Sequence, residues 1–145
     1  MAIKIDDKDK GILDILINNA RTSYTDIAET LRITEGTVRN RISRMEAEGV
    51  IKRYTVEIDP SKLGYKLVTI LGIDTAPESF LEVANEVAKY PEAKWVATSS
   101  GDHMIMVELW AKDGQELSKT LTEKIGKIKG VKKLCPAILL EKIKS

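Results

Sequence analysis

The hydrophobic pattern of this 145-residue chain changes at Gly49, and the change limits the fold to a helical part followed by a mixed part. Before Gly49, apolar residues recur at the spacing of a helix, as in residues 12–17. After it, residues 50–59 alternate as a strand does, until Pro60 interrupts the pattern. We therefore expect two small domains with different structures.

The first 49 residues predict three helices, because each can begin at a side chain that accepts a hydrogen bond from a helix N–H group. Asp6 or Asp7 caps the first helix, Ser23 the second and Thr34 the third. Gly49 ends the third helix, since glycine readily adopts the left-handed conformation found there. A turn of about three residues joins the second and third helices, which is the spacing of a helix-turn-helix.

The positions that a helix-turn-helix buries are apolar or small in this chain. They are Ile27, Ala28, Leu31, Ile33, Val38 and Ile42. The turn departs from the common pattern, because it has Arg32 where many such motifs have glycine. A residue other than glycine with positive φ costs about 1 kcal/mol. We therefore expect a turn that is either strained or differently shaped.

The outward face of the third helix suits the major groove of DNA. On a helical wheel Val38, Ile42 and Met45 form a buried stripe, and the opposite face has no carboxylate from Gly36 to Met45. Asparagine can pair with adenine and arginine with guanine, each through two hydrogen bonds, while flanking arginines hold phosphates. The predicted DNA-binding residues are Thr34, Glu35, Gly36, Thr37, Arg39, Asn40, Arg41, Ser43 and Arg44.

An ordinary solvated helix is the alternative explanation of this face. Glu35 and Arg39 are four residues apart, as are Arg44 and Glu48, and each pair would stabilise a helix by about 0.2–0.5 kcal/mol. Arg41 has no such partner within its own helix, so we favour contact with DNA. All arginines of the chain also lie in its first 53 residues, and arginine suits bidentate contact with phosphates and bases.

The rest of the chain predicts the element order β-α-β-β-α-β, which is the ferredoxin-like arrangement of an α+β fold. We expect a helix-turn-helix (winged-helix-like) DNA-binding domain at residues 1–54, a β-strand linker at 55–65 and a C-terminal oligomerisation and effector domain at 66–145. Helices cover only one face of such a sheet, so self-association is expected through the other. That face would carry Val68, Ile70, Trp95, Ala97, Met104 and Met106, or their alternates.

The single histidine follows a Gly-Asp pair in "SSGDHMIM", which first suggests a hydrolase. Ser99, Asp102 and His103 are too close in sequence to converge, because neighbours on a strand point to opposite faces. No metal-ligand cluster, phosphate loop, nucleophile elbow or dinucleotide-binding glycine pattern accompanies them. We therefore expect no catalytic residue, no metal and no cofactor, and hence no enzyme.

The chain resembles the Lrp/AsnC family of transcription regulators, and the archaeal Lrp-type members in particular. The resemblance covers nearly all of it, through "DDKDKGILDILINNARTSYTDIAETLRITEGTVRNRISRMEAEGVIKRYTVEIDPSKLGY", "SSGDHMIMVELWAKDG" and "IGKIKGVKKLCPAILLEKIK". It implies a DNA-binding N-terminal domain, a linking β-strand and a βαββαβ domain that pairs through its sheet into dimers, which often assemble into octamers. It also implies an amino-acid effector, as in many members.

Two interpretations of the Gly-Asp segment stay open. In the structural one, Gly101 and Asp102 form a tight hairpin turn and His103 begins a strand. In the other, which the resemblance implies, the loop lines an amino-acid pocket. Its residues would be Ser99, Ser100, Gly101, Asp102 and His103. Many ligand-binding members read Gly-Asp-aromatic-Asp here, whereas this chain has His103 and Met104 at the last two positions.

Together these patterns predict a sequence-specific DNA-binding transcription regulator that represses its own or nearby promoters and responds to a small molecule such as an amino acid. Its expected partners are double-stranded DNA and copies of itself, as a homodimer and then a tetramer or octamer. No apolar run is long enough for a membrane span and no signal sequence is evident, so a cytoplasmic protein is expected. The alternatives are an amino-acid-sensing oligomeric binding protein and a non-specific DNA-coating chromatin protein.

Overall fold

The computed structural model describes residues 3–145, which divide into two compact units. The first unit ends at Glu57, and the second runs from Ile58 to Ser145. This division falls within the segment 55–65, which the sequence predicts as a linker. Within residues 3–145, no helix is long and apolar enough to cross a membrane.

Three helices form the N-terminal unit. They are α1 (Asp7–Asn18), α2 (Tyr24–Leu31) and α3 (Glu35–Ala47). Asp6, Ser23 and Thr34 cap them, each by accepting a hydrogen bond from a backbone N–H in the first turn. Gly49 follows α3 in the left-handed conformation, with a φ of 71°. The predicted caps and the predicted stop are therefore confirmed.

The N-terminal core lies between these three helices. Its fully buried apolar side chains are Ile12, Ile27, Val38, Ile42 and Met45. Ala28 is also buried, and Leu31 and Ile33 are partly buried and pack against the cluster, so every predicted core position of the helix-turn-helix lies in or against the core. Gly11 allows α1 and α2 to approach closely, because a Cβ there would lie 2.9 Å from Leu31 Cδ2.

The segment after α3 differs from the predicted β-strand linker at 55–65. Residues 52–59 form neither a helix nor a strand in the described chain. Pro60–Leu63 then forms a short 3-10 turn, because proline fixes the φ angle that the turn needs and Asp59 accepts from the Ser61 N–H at 3.0 Å. An alternating sequence does not by itself supply the neighbouring strand that a ladder requires.

The C-terminal unit has the predicted order of strands and helices. Its elements are β1 (Leu67–Thr75), α4 (Phe80–Val87), β2 (Ala93–Thr98), β3 (Ile105–Ala111), α5 (Gly114–Lys119) and β4 (Val131–Ile138). Neighbouring strands are antiparallel throughout and lie in the spatial order β2-β3-β1-β4. The α+β class and the ferredoxin-like domain are therefore confirmed.

The second helix of this unit loses its regular form early. After α5 the chain continues as a π-helical turn over Thr120–Lys124 and a 3-10 turn over Ile125–Lys127. Gly126 lies in this irregular end, where a Cβ would come within 2.6 Å of the Leu121 carbonyl oxygen. Gly130 ends the segment as predicted, with a φ of 98°.

The two faces of the sheet differ in what covers them. Leu71, Ile73 and Val107 are fully buried on the face that packs against α4 and α5. By strand alternation the other side, called here the open face, carries Val68, Ile70, Gly72, Asp74, Trp95, Ala97, Met106, Glu108, Trp110, Lys133, Cys135 and Ala137. Met104, which the sequence placed on this face, packs instead against the covered core.

Both tryptophans of the chain lie on the open face and bind the same carboxylate. Trp95 Nε1 donates to one Glu108 oxygen and Trp110 Nε1 to the other, each at 2.7 Å. The Tyr65 ring lies beside Trp110, with 5.7 Å between the ring centroids. The open face thus combines uncovered apolar residues with an anchored aromatic cluster.

Candidate nucleic-acid interface

The turn between α2 and α3 has the left-handed shape that usually favours glycine. Arg32 has a φ of 54° and a ψ of 46°. The Ile33 N–H donates to the Ala28 carbonyl at 3.0 Å, and the Arg32 N–H donates to the Glu29 carbonyl at 3.3 Å. Of the two expected possibilities, the structure has the regular turn with a strained residue in it.

Side chains of α3 itself and of α2 hold the first turn of α3 in place. Thr34 Oγ1 accepts from the Thr37 N–H at 3.1 Å and lies 2.8 Å from the Thr37 hydroxyl. The Glu35 carboxylate accepts from Arg39 at 2.9 Å and from the Thr25 hydroxyl at 3.3 Å. These bonds fix the start of α3 against α2 and orient Arg39 along the surface.

The middle of α3 presents a polar and open surface. Gly36, Asn40 and Ser43 are exposed, and no atom lies within 4 Å of the position that a Cβ on Gly36 would take. Thr37, Asn40, Arg41 and Arg44 line a shallow depression beside them. Because Gly36 has no side chain, a DNA backbone or base edge could approach the helix closely at this point.

Arg41 has partners that a view of α3 alone could not reveal. Its NH1 donates to both Asp6 oxygens at 2.8 Å and to Asp9 Oδ1 at 2.9 Å. Arg44 NH2 donates to the other Asp9 oxygen at 2.7 Å. Arg41 has no carboxylate partner within α3, as expected, but this no longer argues for contact with DNA, because Asp6 at the N-cap of α1 and Asp9 within α1 bind it. Arg41 keeps 22% of its side chain exposed and Arg44 keeps 45%.

Asp9 is the centre of this network. Its carboxylate is completely buried, yet it accepts from the Asp6 N–H, from Arg41 and from Arg44. A buried charge needs such compensation, because unpaired burial is strongly unfavourable. Asp6 in turn caps α1 by accepting from the Asp9 N–H at 2.9 Å. The helix cap and the two arginines thus form one connected unit.

The same contacts shift the pKa values of Asp6 and Arg41. The pKa of Asp6 falls to about 2, first because its carboxylate accepts the Asp9 N–H and next because Arg41 lies against it. The pKa of Arg41 is raised by its bonds to Asp6 and Asp9. Asp6 and Asp9 were not predicted as partners of Arg41 and Arg44, since their spacing in the sequence suggested only a helix cap.

The Gly-Asp segment forms a wider loop than the predicted tight turn. The Ser99 N–H donates to the Met104 carbonyl at 2.8 Å, and four residues lie between these two. The Gly101 N–H donates to Ser99 Oγ at 3.1 Å. Gly101 does not have the positive φ that a tight two-residue turn would require. Residues 99–102 are exposed. The predicted two-residue turn is therefore wrong, and the loop is open to solvent.

His103 leaves this loop and lies against the open face. Its Nδ1 is 3.1 Å from Asp74 Oδ1. Its ring lies over Gly72, where an added Cβ would be 2.3 Å from His103 Cδ2. Only glycine at position 72 leaves room for the imidazole. The predicted strand begins two residues later than His103, at Ile105.

Family models match both units of the chain. One described as winged helix-turn-helix DNA-binding matches residues 5–52. Another, described as the Lrp/AsnC ligand binding domain, matches residues 68–145. The first covers the three helices, and the second covers the four-stranded sheet from the second residue of β1 onward.

Individual relatives agree with the family models over the full length. The chain is 51% identical over 140 residues to the HTH-type transcriptional regulator LrpA of Pyrococcus abyssi, with 97% of this chain and 99% of LrpA covered. Its structure is similar to Escherichia coli AsnC, with a TM-score of 0.87, 24% identity, and coverage of 99% and 97% of the two chains.

A second similar structure is a transcriptional regulator from Neisseria meningitidis in complex with L-Met. Its TM-score is 0.89 at 19% identity, with 98% of this chain and 94% of that chain covered. The matched domains, the close LrpA relative and the shared fold all agree. The chain belongs to the Lrp/AsnC family of DNA-binding transcriptional regulators.

Proposed function

We propose that the chain is a sequence-specific regulator that reads its operator with the exposed face of α3. The observation that carries this proposal is that Gly36, Asn40 and Ser43 are exposed on the outward face of α3, whose own residues from Gly36 to Met45 include no carboxylate. A recognition helix needs a close backbone approach, polar side chains toward base edges and positive charge toward phosphates. This face offers all three.

Within this proposal, the residues of α3 have different roles. Asn40 and Ser43 contact base edges, because they are exposed and uncharged on the outward side. Arg39, Arg41 and Arg44 contact phosphates and set the register of the helix on the duplex. The proposed set remains Thr34, Glu35, Gly36, Thr37, Arg39, Asn40, Arg41, Ser43 and Arg44.

The proposal includes a homodimer formed through the open face, with a tetramer or octamer as a further assembly. Most residues of the open face are apolar and the helices of the C-terminal unit lie on the other face of the sheet, which supports self-association. Tyr54, Val56 and Ile58 are also 50%, 76% and 47% exposed along the segment after α3. Two copies would cover these surfaces and present two helix-turn-helix motifs to half-sites about one DNA turn apart, or a multiple of that.

We further propose that an amino acid or a similar small molecule modulates DNA binding. The match to a ligand binding domain supports this, and the similar Neisseria structure is a complex with L-Met. The exposed segment 99–103 is the proposed effector loop. The expected outcome is repression of the chain's own or nearby promoters, in the cytoplasm and without enzymatic activity.

A mobility-shift assay on the promoter of the chain's own gene tests the proposal. The protein should shift this DNA at lower concentration than scrambled DNA of the same length and composition. Equal affinity for both would instead indicate a non-specific DNA-coating protein. No salt-dependent shift, together with amino-acid binding in calorimetry, would indicate a sensor that does not act on DNA. Repeating the shift with each amino acid added identifies an effector.

A further inference from the structure

Three potential metal ligands that are far apart in the sequence meet on the open face. They are Asp74 on β1, His103 after the 99–102 loop and Cys135 on β4. One carboxylate oxygen, one imidazole nitrogen and the thiol sulfur all lie within 4.8 Å of one another, and all three residues are partly buried. The sequence predicted no metal-ligand cluster, because the three positions share no local spacing.

The strand register explains why these groups converge. Cys135 pairs with Gly72 across the β1–β4 ladder, and Asp74 lies two residues further along the same face of β1. His103 reaches the group from the other neighbour of β1, since the missing side chain of Gly72 leaves space for the imidazole. Three separate segments and one glycine therefore combine to place one of each donor type around a common point.

The simpler explanation is a hydrogen bond between His103 and Asp74 beside a buried free cysteine. That bond accounts for the 3.1 Å contact, but not for the thiol within reach of both groups. A thiolate, an imidazole and a carboxylate form the donor set that zinc prefers. Zinc bonds of about 2.0–2.3 Å in a tetrahedron separate ligand atoms by about 3.3–3.8 Å. The donor atoms, now up to 4.8 Å apart, would therefore move about 1 Å closer on binding the ion.

We propose that Asp74, His103 and Cys135 bind one Zn²⁺ ion per chain, with water in the fourth position. Three protein ligands and one open position are a recognised arrangement for zinc. The ion would tie the loop at 99–102 to both β1 and β4, because His103 directly follows that loop. Metal binding would thus order the segment proposed above as the effector loop, although the site itself does not depend on that function.

Cobalt titration of the metal-free full-length protein tests the site directly. The chain has one cysteine and one histidine, so a thiolate-to-cobalt charge-transfer band can arise only from Cys135. We expect that band, together with tetrahedral d–d absorption, to saturate at one equivalent per chain. Zinc should bleach both signals by displacing cobalt.

Variants separate the three ligands from other surface groups. Cys135→Ser should abolish the charge-transfer band, and His103→Gln or Asp74→Asn should weaken zinc binding about 10- to 100-fold or more, since even outer-shell changes have that effect. Glu82→Gln is the matched control, because it removes one carboxylate charge from an exposed position on α4. Competition with a chromogenic chelator measures each affinity, and far-ultraviolet circular dichroism checks the fold.

A measurement on the unmodified chain makes the test independent of variant folding. Zinc K-edge absorption should resolve one sulfur scatterer at about 2.3 Å, with nitrogen and oxygen completing the shell. A shell without sulfur, no cobalt band at one equivalent, or full zinc affinity in Cys135→Ser would each overturn the proposal.

Discussion

At the scale of single residues, Asn40 tests base readout. It is exposed on α3 beside Thr37 and Arg44. Asn40→Ala should weaken binding to the cognate operator by about 1–3 kcal/mol and leave binding to random DNA nearly unchanged, because an amide pairs with a specific base edge. Competition mobility shifts with both DNAs give the ratio. Asn85→Ala, which removes an exposed amide from α4, is the control. Equal losses on both DNAs would assign Asn40 to the DNA backbone.

Arg41 tests phosphate contact and also the role of α1. Arg41→Ala should weaken cognate and random DNA alike and reduce the salt slope of binding by about 1. It should also lower the melting temperature, because buried Asp9 would lose one of its two guanidinium partners. Arg21→Ala, which removes an arginine outside α3, is the control. Lower stability with an unchanged salt slope would make Arg41 a residue that positions α1 and α3 only.

Asp6 makes the stability of the N-terminal unit sensitive to acid. Its pKa is about 2 in the folded chain against 3.8 ordinarily, so folding favours the ionised form. The resulting stability is fully present above pH 3.8 and is lost as the pH falls toward about 2. Asp6→Asn keeps a good helix cap but removes this titration, and should therefore flatten the dependence of melting temperature on pH in that window.

The control for Asp6 is a neighbouring carboxylate. Asp7 is fully exposed in the same turn, and its oxygen lies 3.9 Å from Lys10 Nζ. Melting curves of Asp7→Asn should retain the acid dependence of the unmodified chain. An Asp6→Asn variant with the full acid dependence would contradict the link between Asp6 and the arginine network.

The helical wheel predicted which residues of α3 face inward, but it could not predict what the outward arginines touch. Val38, Ile42 and Met45 are buried as expected, because a period of 3.6 residues depends only on the helix itself. The partners of Arg41 depend on how α1 packs, and that packing brings together residues 35 apart. The periodicity of one helix therefore cannot predict contacts with another helix.

At the scale of elements, the turn before α3 carries measurable strain. Arg32 has a positive φ, which costs about 1–2 kcal/mol relative to glycine, whereas the extra freedom of glycine in the unfolded chain costs about 0.4–1 kcal/mol. Arg32→Gly should therefore stabilise the N-terminal unit by a few tenths to about 1 kcal/mol. Denaturant unfolding followed by circular dichroism measures the change.

Another arginine provides the matched comparison for that substitution. Arg21 is exposed and has no positive φ, so Arg21→Gly removes the same charge without relieving strain. It should be neutral or destabilising. Equal effects of the two glycine substitutions would show that charge, and not backbone strain, governs stability at the turn.

Elements differ in how far their own sequence determines them. The caps at Asp6, Ser23 and Thr34 need only the helix that follows, and all three form as predicted. The strand expected at 55–65 needs a partner, and the described chain offers none. The Gly-Asp loop is wider than the predicted turn for a similar reason, since His103 contacts Asp74 and Gly72 on another strand.

At the scale of the whole molecule, the open face should control self-association. Ile70 lies on β1, which is one of the two inner strands of the sheet. Ile70→Glu should convert an associated protein into monomers, because a carboxylate buried at an apolar interface without a partner is strongly unfavourable. Sedimentation velocity measures the change, and weaker operator binding should accompany it, since two linked motifs bind more tightly than one.

The control for Ile70 lies elsewhere on the C-terminal unit. Leu81 is 60% exposed on α4, so Leu81→Glu adds the same charge without touching the open face. It should leave the assembly unchanged. A dimer that survives Ile70→Glu with its fold intact would exclude the open face as the interface.

The convergence of Asp74, His103 and Cys135 also belongs to this scale. Their positions become neighbours only through the register of β1 with β4 and the course of the loop after β2. Neither the residue types nor their spacing in the sequence indicates that they meet. The order of strands was predictable from the sequence, whereas the groups that it brings together required the three-dimensional structure.

The position of both tryptophans beside Glu108 has a practical consequence for fluorescence spectroscopy. Trp95 and Trp110 are the only tryptophans of the chain, and both indoles donate to the Glu108 carboxylate on the open face. Tryptophan fluorescence therefore reports on the C-terminal sheet alone, while the helix-turn-helix contains no indole. Operator DNA added to the protein should leave the emission maximum in place unless the change at the helices reaches the sheet. The protein thus carries its own optical probe for communication between its two halves.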